Sequence, residues 1–126
     1  MKNKYNAKKT IYKGIIYDSK YEATRAYELD MLERAGHIKN LERQKRFILQ
    51  EGYVNNKSEN IRPISYIADF YYIDSKGNKI VEDTKGLETE VFRIKKKMFE
   101  YKYSDIKFVV LKGKTRTKKV TKLCGF

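Results

Sequence analysis

The stretch Ile64-Ser65-Tyr66-Ile67-Ala68-Asp69-Phe70-Tyr71-Tyr72-Ile73 is followed by Asp74-Ser75-Lys76-Gly77-Asn78 and then by Lys79-Ile80-Val81-Glu82-Asp83-Thr84-Lys85. The first segment is built of β-branched and aromatic residues with no breaker, which is strand composition. The second is a turn, because Gly77 accepts the left-handed conformation that a three-residue hairpin loop needs. The third is the returning strand, broken by Gly86. If Asp74 faces Asn78 across the loop, counting back along the ladder sets Asp69 opposite Asp83 and Ile67 opposite Lys85. Side chains alternate along a strand, so Asp69, Asp83 and Lys85 are expected on one face.

Two carboxylates facing each other repel and weaken a hairpin. The fold does not need that arrangement, and a cation removes the penalty. Carboxylate oxygens are the ligands Mg²⁺ prefers. A lysine beside them would orient or deprotonate a water, or meet charge developing on a phosphate. The plainer alternative is a salt-bridged cluster on a solvated sheet face. The flanks of Asp69 oppose it, since Tyr66, Ile67, Ala68, Phe70, Tyr71 and Tyr72 describe a largely buried strand. Buried acids are rare unless paired or metal-bound.

Working outward, Leu41 to Gln50 reads as a strand preceding the hairpin, and Glu51 to Asn60 as a loop or the tip of a longer hairpin. Ser19-Lys20-Tyr21-Glu22 matches a capping box that opens a helix from about Lys20 to Ala35, closed by Gly36. The apolar residues of that helix form no single stripe, which predicts contacts on more than one side. Gly14 to Asp18 reads as a short strand. Thr89 to Tyr103 is a second helix with Thr89 as its cap, and Val91, Ile94, Met98 and Tyr101 recur at helical spacing. Ile106 to Leu111 is a last strand, apolar on both faces like a buried parallel strand. The crossover rule places it parallel to Lys79–Lys85. The expected fold is α/β: a mixed, twisted sheet with the order helix, three antiparallel strands, helix, parallel strand, flanked by its helices. The length of 126 residues suggests one domain, residues 1–126.

The chain has 29 Lys and Arg against 16 Asp and Glu, a formal net charge of +13. That excess favours a polyanion, most often nucleic acid. It is concentrated in a basic arm over residues 1–13 and a basic segment over residues 112–126. Neither a membrane span nor a signal peptide is evident in the sequence, so no membrane partner is expected. The single cysteine, Cys124, cannot build a disulfide framework and suits a reducing, cytoplasmic setting. The only histidine, His37, is remote from it in sequence and reads as a polar turn residue, so a Cys–His nucleophile is not expected.

Ala68-Asp69-Phe70 followed by Glu82-Asp83-Thr84-Lys85-Gly86 resembles the bipartite motif of the PD-(D/E)XK nuclease superfamily. Asp69 matches the first acid and Asp83-Thr84-Lys85 the second element; Ala68 stands where proline is frequent. Asp18 to Ala23 and Lys4 to Thr10 resemble small phage-encoded members, and the likeness runs from about residue 4 to residue 111. The resemblance implies a restriction-endonuclease-like core. It also implies a Mg²⁺-dependent endonuclease, with Mn²⁺ as substitute, that hydrolyses DNA and, more narrowly, branched or junction DNA as a resolvase does. It further implies a homodimer and, for a phage protein, the host cytoplasm.

The catalytic set would be Lys85, Asp83, Asp69 and Glu22, with Asp69, Asp83 and Glu22 holding the metal. Glu22 serves equally well as the capping-box residue. Substrate contacts are expected from Gln44, Arg93 and Lys96 and from Lys8, Lys9, Lys118 and Lys119 in the basic segments. An ordinary surface role suits Gln44 better, and a charged outer helix face accounts for most of Arg93 and Lys95 to Lys97. Glu82 should point away from Asp83 and be structural. The rivals are a DNA-binding protein that keeps the fold without catalysis, and an RNA-directed protein, for which no aromatic recognition signature is present.

Overall fold

The computed structural model describes residues 9–85 and 87–112. Lys8, Lys118, Lys119, Gly86 and Cys124 therefore lie outside the described residues. Among the described residues the chain forms β1 (Thr10–Tyr12), β2 (Ile15–Tyr17), α1 (Lys20–Arg34), β3 (Ile38–Gln50), β4 (Tyr53–Val54), β5 (Asn60–Ile61), β6 (Ile64–Asp74), β7 (Lys79–Lys85), α2 (Glu90–Lys102) and β8 (Ile106–Lys112). β3, β6, β7 and β8 form a mixed sheet in that order, antiparallel except for the parallel β7–β8 pair. The α/β class, the strand order and the parallel crossover match the sequence reading.

The β6–β7 turn closes as its side chains dictate. Gly77 takes a φ of 85°, and Asp74 Oδ1 accepts from the backbone N–H of Lys76 at 2.9 Å and of Asn78 at 2.8 Å. The register is Ile73 with Lys79, Tyr72 with Ile80, Tyr71 with Val81 and Phe70 with Glu82. The helix ends are equally local. Ser19 Oγ accepts from Glu22 N at 3.1 Å, and Thr89 Oγ1 accepts from Phe92 N at 3.1 Å. Gly36, at φ 82°, ends α1 with its N–H on Glu33 O, while His37 N–H reaches Leu32 O.

A helix covers each face of the sheet. Phe92 and Phe99 of α2 join Phe47, Leu49, Tyr66, Ala68, Tyr71 and Val81 in one core cluster. Phe47 and Phe99 meet edge-on, with ring centroids 4.9 Å apart. Ala23, Ala26 and Leu29 of α1 join Tyr17, Ile38, Phe70 and Tyr72 in the other. The β1–β2 hairpin adds a second contact to α1 through the Tyr12–Tyr27 ring pair, as the scattered apolar residues of that helix predict.

Two expectations are corrected. The basic arm is partly strand, since Thr10–Tyr12 pairs with Ile15–Tyr17. β8 is an edge strand and mostly half-buried, so its apolar run does not mark burial on both faces. On α2, Val91, Ile94 and Tyr101 face outward, 62%, 57% and 91% exposed, while Met98 packs against the core cluster. The inner stripe is Phe92 and Phe99. These two larger side chains stand one heptad apart, and the sheet takes them first because they remove the most apolar surface from water.

α1 carries two charges on its inner face. The Arg25 guanidinium makes two bonds to Glu82 on β7, Nε to Oε1 and Nη2 to Oε2, each 2.7 Å, and Nη1 reaches Glu28 at 2.9 Å. Both Arg25 and Glu82 are buried, and the Tyr72 hydroxyl donates to the same Glu82 carboxylate. Removing one partner of such a pair strands the other charge. Glu82→Gln should therefore lower unfolding stability by roughly 3–5 kcal/mol in urea titrations. Replacing both residues with apolar ones of similar volume should recover much of the loss. A Glu82→Gln protein within about 1 kcal/mol of the parent would refute this role for the pair.

Candidate functional site

Regular pairing of β6 with β7 stops at Phe70–Glu82, and one further step along the same register sets Asp69 opposite Asp83. Here the Asp69 carboxylate engages the neighbouring strand itself. Its Oδ2 accepts from both the backbone N–H and the hydroxyl of Thr84, each at 2.8 Å. On the other side of Asp69 stands Gln44 of β3, between the pairs Arg43–Phe70 and Lys45–Ala68. Gln44 has a φ of 54°, a left-handed conformation that is rare for any residue but glycine and is rarer still within a strand.

The core clusters show what this kink does. On β6, Tyr66 and Ala68 belong to the α2 side, whereas Phe70 and Tyr72 belong to the α1 side. On β3, Phe47 and Leu49 face α2, while Arg43 lies over the Tyr17 ring on the α1 side. Both strands reverse their alternation at the Gln44–Asp69 position. The expectation that Asp69, Asp83 and Lys85 share one face therefore holds only for Asp83 and Lys85. Asp69 sits at the crossing, where it can serve groups on either side.

Asp83 is buried at 1% exposure. Its Oδ2 lies 3.1 Å from Lys85 Nζ, an ion-pair contact without hydrogen-bond alignment, so that oxygen and the nearby Tyr66 hydroxyl are both buried without a hydrogen-bond partner. Burial first, and the Asp69 charge second, raise the Asp83 pKa to about 7, while Lys85 pulls it down. Lys85 Nζ also stands 4.6 Å from the Phe92 ring centroid, which holds the ammonium over the α2 face.

Glu22 enters from the N-terminus of α1. Its pKa is raised to about 7 by burial, then by Asp69, Asp18 and Asp83, with Arg43 opposing. The reciprocal half of the capping box, a bond from Ser19 N–H to the Glu22 carboxylate, is not formed. Its backbone caps the helix while its carboxylate turns to the acids. Arg43 was not anticipated from the sequence. It donates from Nε to the Tyr17 hydroxyl at 3.1 Å and places a cation beside Glu22. Tyr66 was read only as core. Neither carries a local sequence signal, because each is brought to the acids by the sheet.

Of the remaining expected residues, only Gln44 adjoins the acids among those described. Gln44 is exposed and adjoins Asp69. Arg93 is exposed and lies 4.0 Å from Glu88, and Lys96 pairs with Glu100 at 3.0 Å over the Phe108 ring. Lys9 is exposed ahead of β1. Glu82 is turned away from Asp83 and is structural, as expected.

The donor set suits a hard cation. An orphaned, buried carboxylate oxygen, a second carboxylate one step across and a third acid raised by both are short of positive charge, and Mg²⁺ prefers such oxygens. Among the described residues no three acids are already closed into a ligand set; Glu22 meets the two aspartates through their field. Asp69, Asp83 and Glu22 are the residues that would hold the ion.

The fold, then, is an α/β sheet protein with an acidic cluster and one lysine where two central strands part. The profile of the family described as "Protein of unknown function (DUF1064)" matches residues 2–121, and the chain belongs to that family. No curated protein and no solved structure matches the chain.

The raised acids have a pH consequence. A carboxyl with a folded pKa above its unfolded value binds its proton more tightly when folded. That stabilisation is complete below an unfolded value near 4 and is lost as pH rises through about 7. In EDTA the melting temperature should therefore fall between about pH 5 and pH 8, and Asp83→Asn should flatten the fall and melt several degrees above the parent at pH 8. A thermal-shift series giving both proteins the same pH profile would contradict the assignment.

Proposed function

We propose that the chain is a metal-dependent endodeoxyribonuclease of the restriction-endonuclease-like kind, hydrolysing DNA phosphodiester bonds with Asp69, Asp83, Glu22 and Lys85. The observation that carries the reading is the buried Asp83 oxygen, which accepts no hydrogen bond and has only the ion-pair contact of Lys85 Nζ at 3.1 Å, with Asp69 on the adjoining strand. A solvated salt-bridge cluster would leave no acid buried at 1% exposure with an oxygen unsatisfied. The net charge of +13 supports a polyanionic substrate. The resemblance of Asp69 and Asp83-Thr84-Lys85 to the PD-(D/E)XK motif supports the reaction class. Among the described residues no helix is long and apolar enough to cross a membrane.

In this reading a bound Mg²⁺, or Mn²⁺ in its place, supplies Lewis acidity toward the phosphate. The protein's own groups do the positioning. Asp69 is locked by the two bonds from Thr84, so its second oxygen has a fixed direction. Asp83 is held in a dry setting where its charge acts at full strength. Lys85 holds its ammonium over the Phe92 ring and against Asp83. It orients the attacking water and faces the charge that grows on the phosphate as the water oxygen bonds to phosphorus and the ester oxygen departs. The narrower reading is cleavage of branched or junction DNA by a homodimer in the cytoplasm, where two related sites would make paired cuts.

Single-turnover cleavage of linear, nicked, forked and four-way DNA in Mg²⁺, Mn²⁺ and EDTA tests the proposal. Lys85→Ala and Lys85→Arg should both keep DNA binding in Ca²⁺ and lose cleavage by about 10²-fold or more. The planar arginine fork does not fill the place of a compact ammonium. A Lys85→Arg protein at the parental rate would overturn the mechanism. A parent that binds DNA but cuts no form of it in Mg²⁺ or Mn²⁺ would establish the non-catalytic reading instead.

A further inference from the structure

β3 and β6 continue together beyond the kink. Arg46 pairs with Ile67, Phe47 with Tyr66 and Ile48 with Ser65, up to Gln50 with Ile64. Phe47, Leu49, Tyr66 and Ala68 turn toward α2. The residues between them, Arg46, Ile48, Ser65 and Ile67, therefore face the other way. On that side the α1 cluster reaches only to Phe70 on β6, and on β3 its members are Ile38 and Leu41. Among the described residues the outward face of this two-stranded ribbon has no helix over it. Ile67 is 45% exposed in the middle of an otherwise buried strand, and Arg46 is exposed, donating from Nη1 to Ser65 Oγ at 3.1 Å.

We infer that this bare face is a binding track for duplex DNA, with Arg46 as a phosphate contact and Ile67 as the apolar contact beside it. The inference rests on the DNA-directed reading of the acidic site and adds to it where the substrate runs.

Three features favour DNA as the occupant. The face carries a cation and no acid among Arg46, Ile48, Ser65 and Ile67, on a chain of net charge +13. It begins at the crossing: Arg46 and Ile67 stand two residues along their strands from Gln44 and Asp69, about 7 Å, so a strand on the track passes beside Asp69, while Asp83 and Lys85 stand on the α2 face. Its dimensions fit. Two strands about 5 Å apart enter a major groove about 12 Å wide, and the six steps from Gln44 to Gln50 span about 20 Å, alongside roughly six base pairs. The Gln44 kink acquires a purpose in this light. Without the reversal of alternation at Asp69, the residues beyond it would present the opposite parity, and Phe47 and Tyr66 would be outside.

The test is a binding titration of the full chain on a labelled duplex in Ca²⁺, over a range of salt, with the parent, Arg46→Ala, Arg46→Glu, Ile67→Glu and, as a distant control, Arg34→Ala. Circular dichroism and melting check that each variant folds. Arg46→Ala should weaken binding about tenfold and lower the salt slope by about 0.9, the release of one phosphate contact. Arg46→Glu and Ile67→Glu should weaken it further, and Arg34→Ala should stay within about twofold. Folded Arg46 and Ile67 variants that bind duplex with parental affinity and slope would overturn the track, even if the parent cuts DNA. Variants that lose self-association in place of DNA affinity would also overturn it, marking the face as a contact between copies. Variants that lose duplex binding support the track whether or not the parent cleaves, so the nuclease reading stands or falls separately on the parent's activity.

Discussion

The bidentate contact between Arg25 and Glu82 sets the geometry on which the rest depends. Its two bonds of 2.7 Å clamp α1 onto β7 in a buried position. Because side chains alternate, turning Glu82 toward α1 turns its neighbour Asp83 toward α2. The same clamp holds the N-terminus of α1, and with it Glu22, at the end of the β6–β7 ladder. A helix held only by Ala23, Ala26 and Leu29 would have small, featureless contacts and a less determined position. The ion pair gives it register.

The second constraint is the conflict at Asp69. Two central strands arrive there with facing acids, and the ladder gives way. Asp69 takes two hydrogen bonds from Thr84, regular pairing ends, and Gln44 on the far side adopts a left-handed backbone. Strain of this kind persists where the surroundings over-determine it, and it gathers at working sites. The arrangement stores two unfavourable features, a left-handed glutamine and a buried aspartate oxygen that accepts no hydrogen bond, each one strand away from Asp69. A cation would relieve the electrostatic part.

Much of this was legible from local chemistry. The hairpin register follows from Asp74, Gly77 and Asn78, whose turn bonds are made within five residues, so Asp69 and Asp83 can be matched from the chain alone. Helix ends at Ser19, Gly36 and Thr89 were readable for the same reason. What escaped depends on long-range partners. Nothing near Arg25 in the chain marks Glu82 as its partner, and Arg43 comes beside Glu22 only once β3 has docked against α1. Gln44 has no signature of a positive φ, since glycine is the residue that would announce one. In α2, Val91, Ile94, Met98 and Tyr101 recur at helical spacing, yet of these only Met98 packs on the core. Spacing identifies an apolar face without saying which of two faces the sheet will take, and there the larger rings of Phe92 and Phe99 decided.

The central claim is that a hard divalent cation belongs between the strands at this point. The most direct measurement is anomalous diffraction at the manganese edge from crystals grown with Mn²⁺. The account predicts a single strong peak bonded to oxygens of both Asp69 and Asp83, with the formerly unpartnered Asp83 oxygen among the ligands. Manganese bound elsewhere, or no ion at millimolar Mn²⁺ with both carboxylates unmoved, would contradict it.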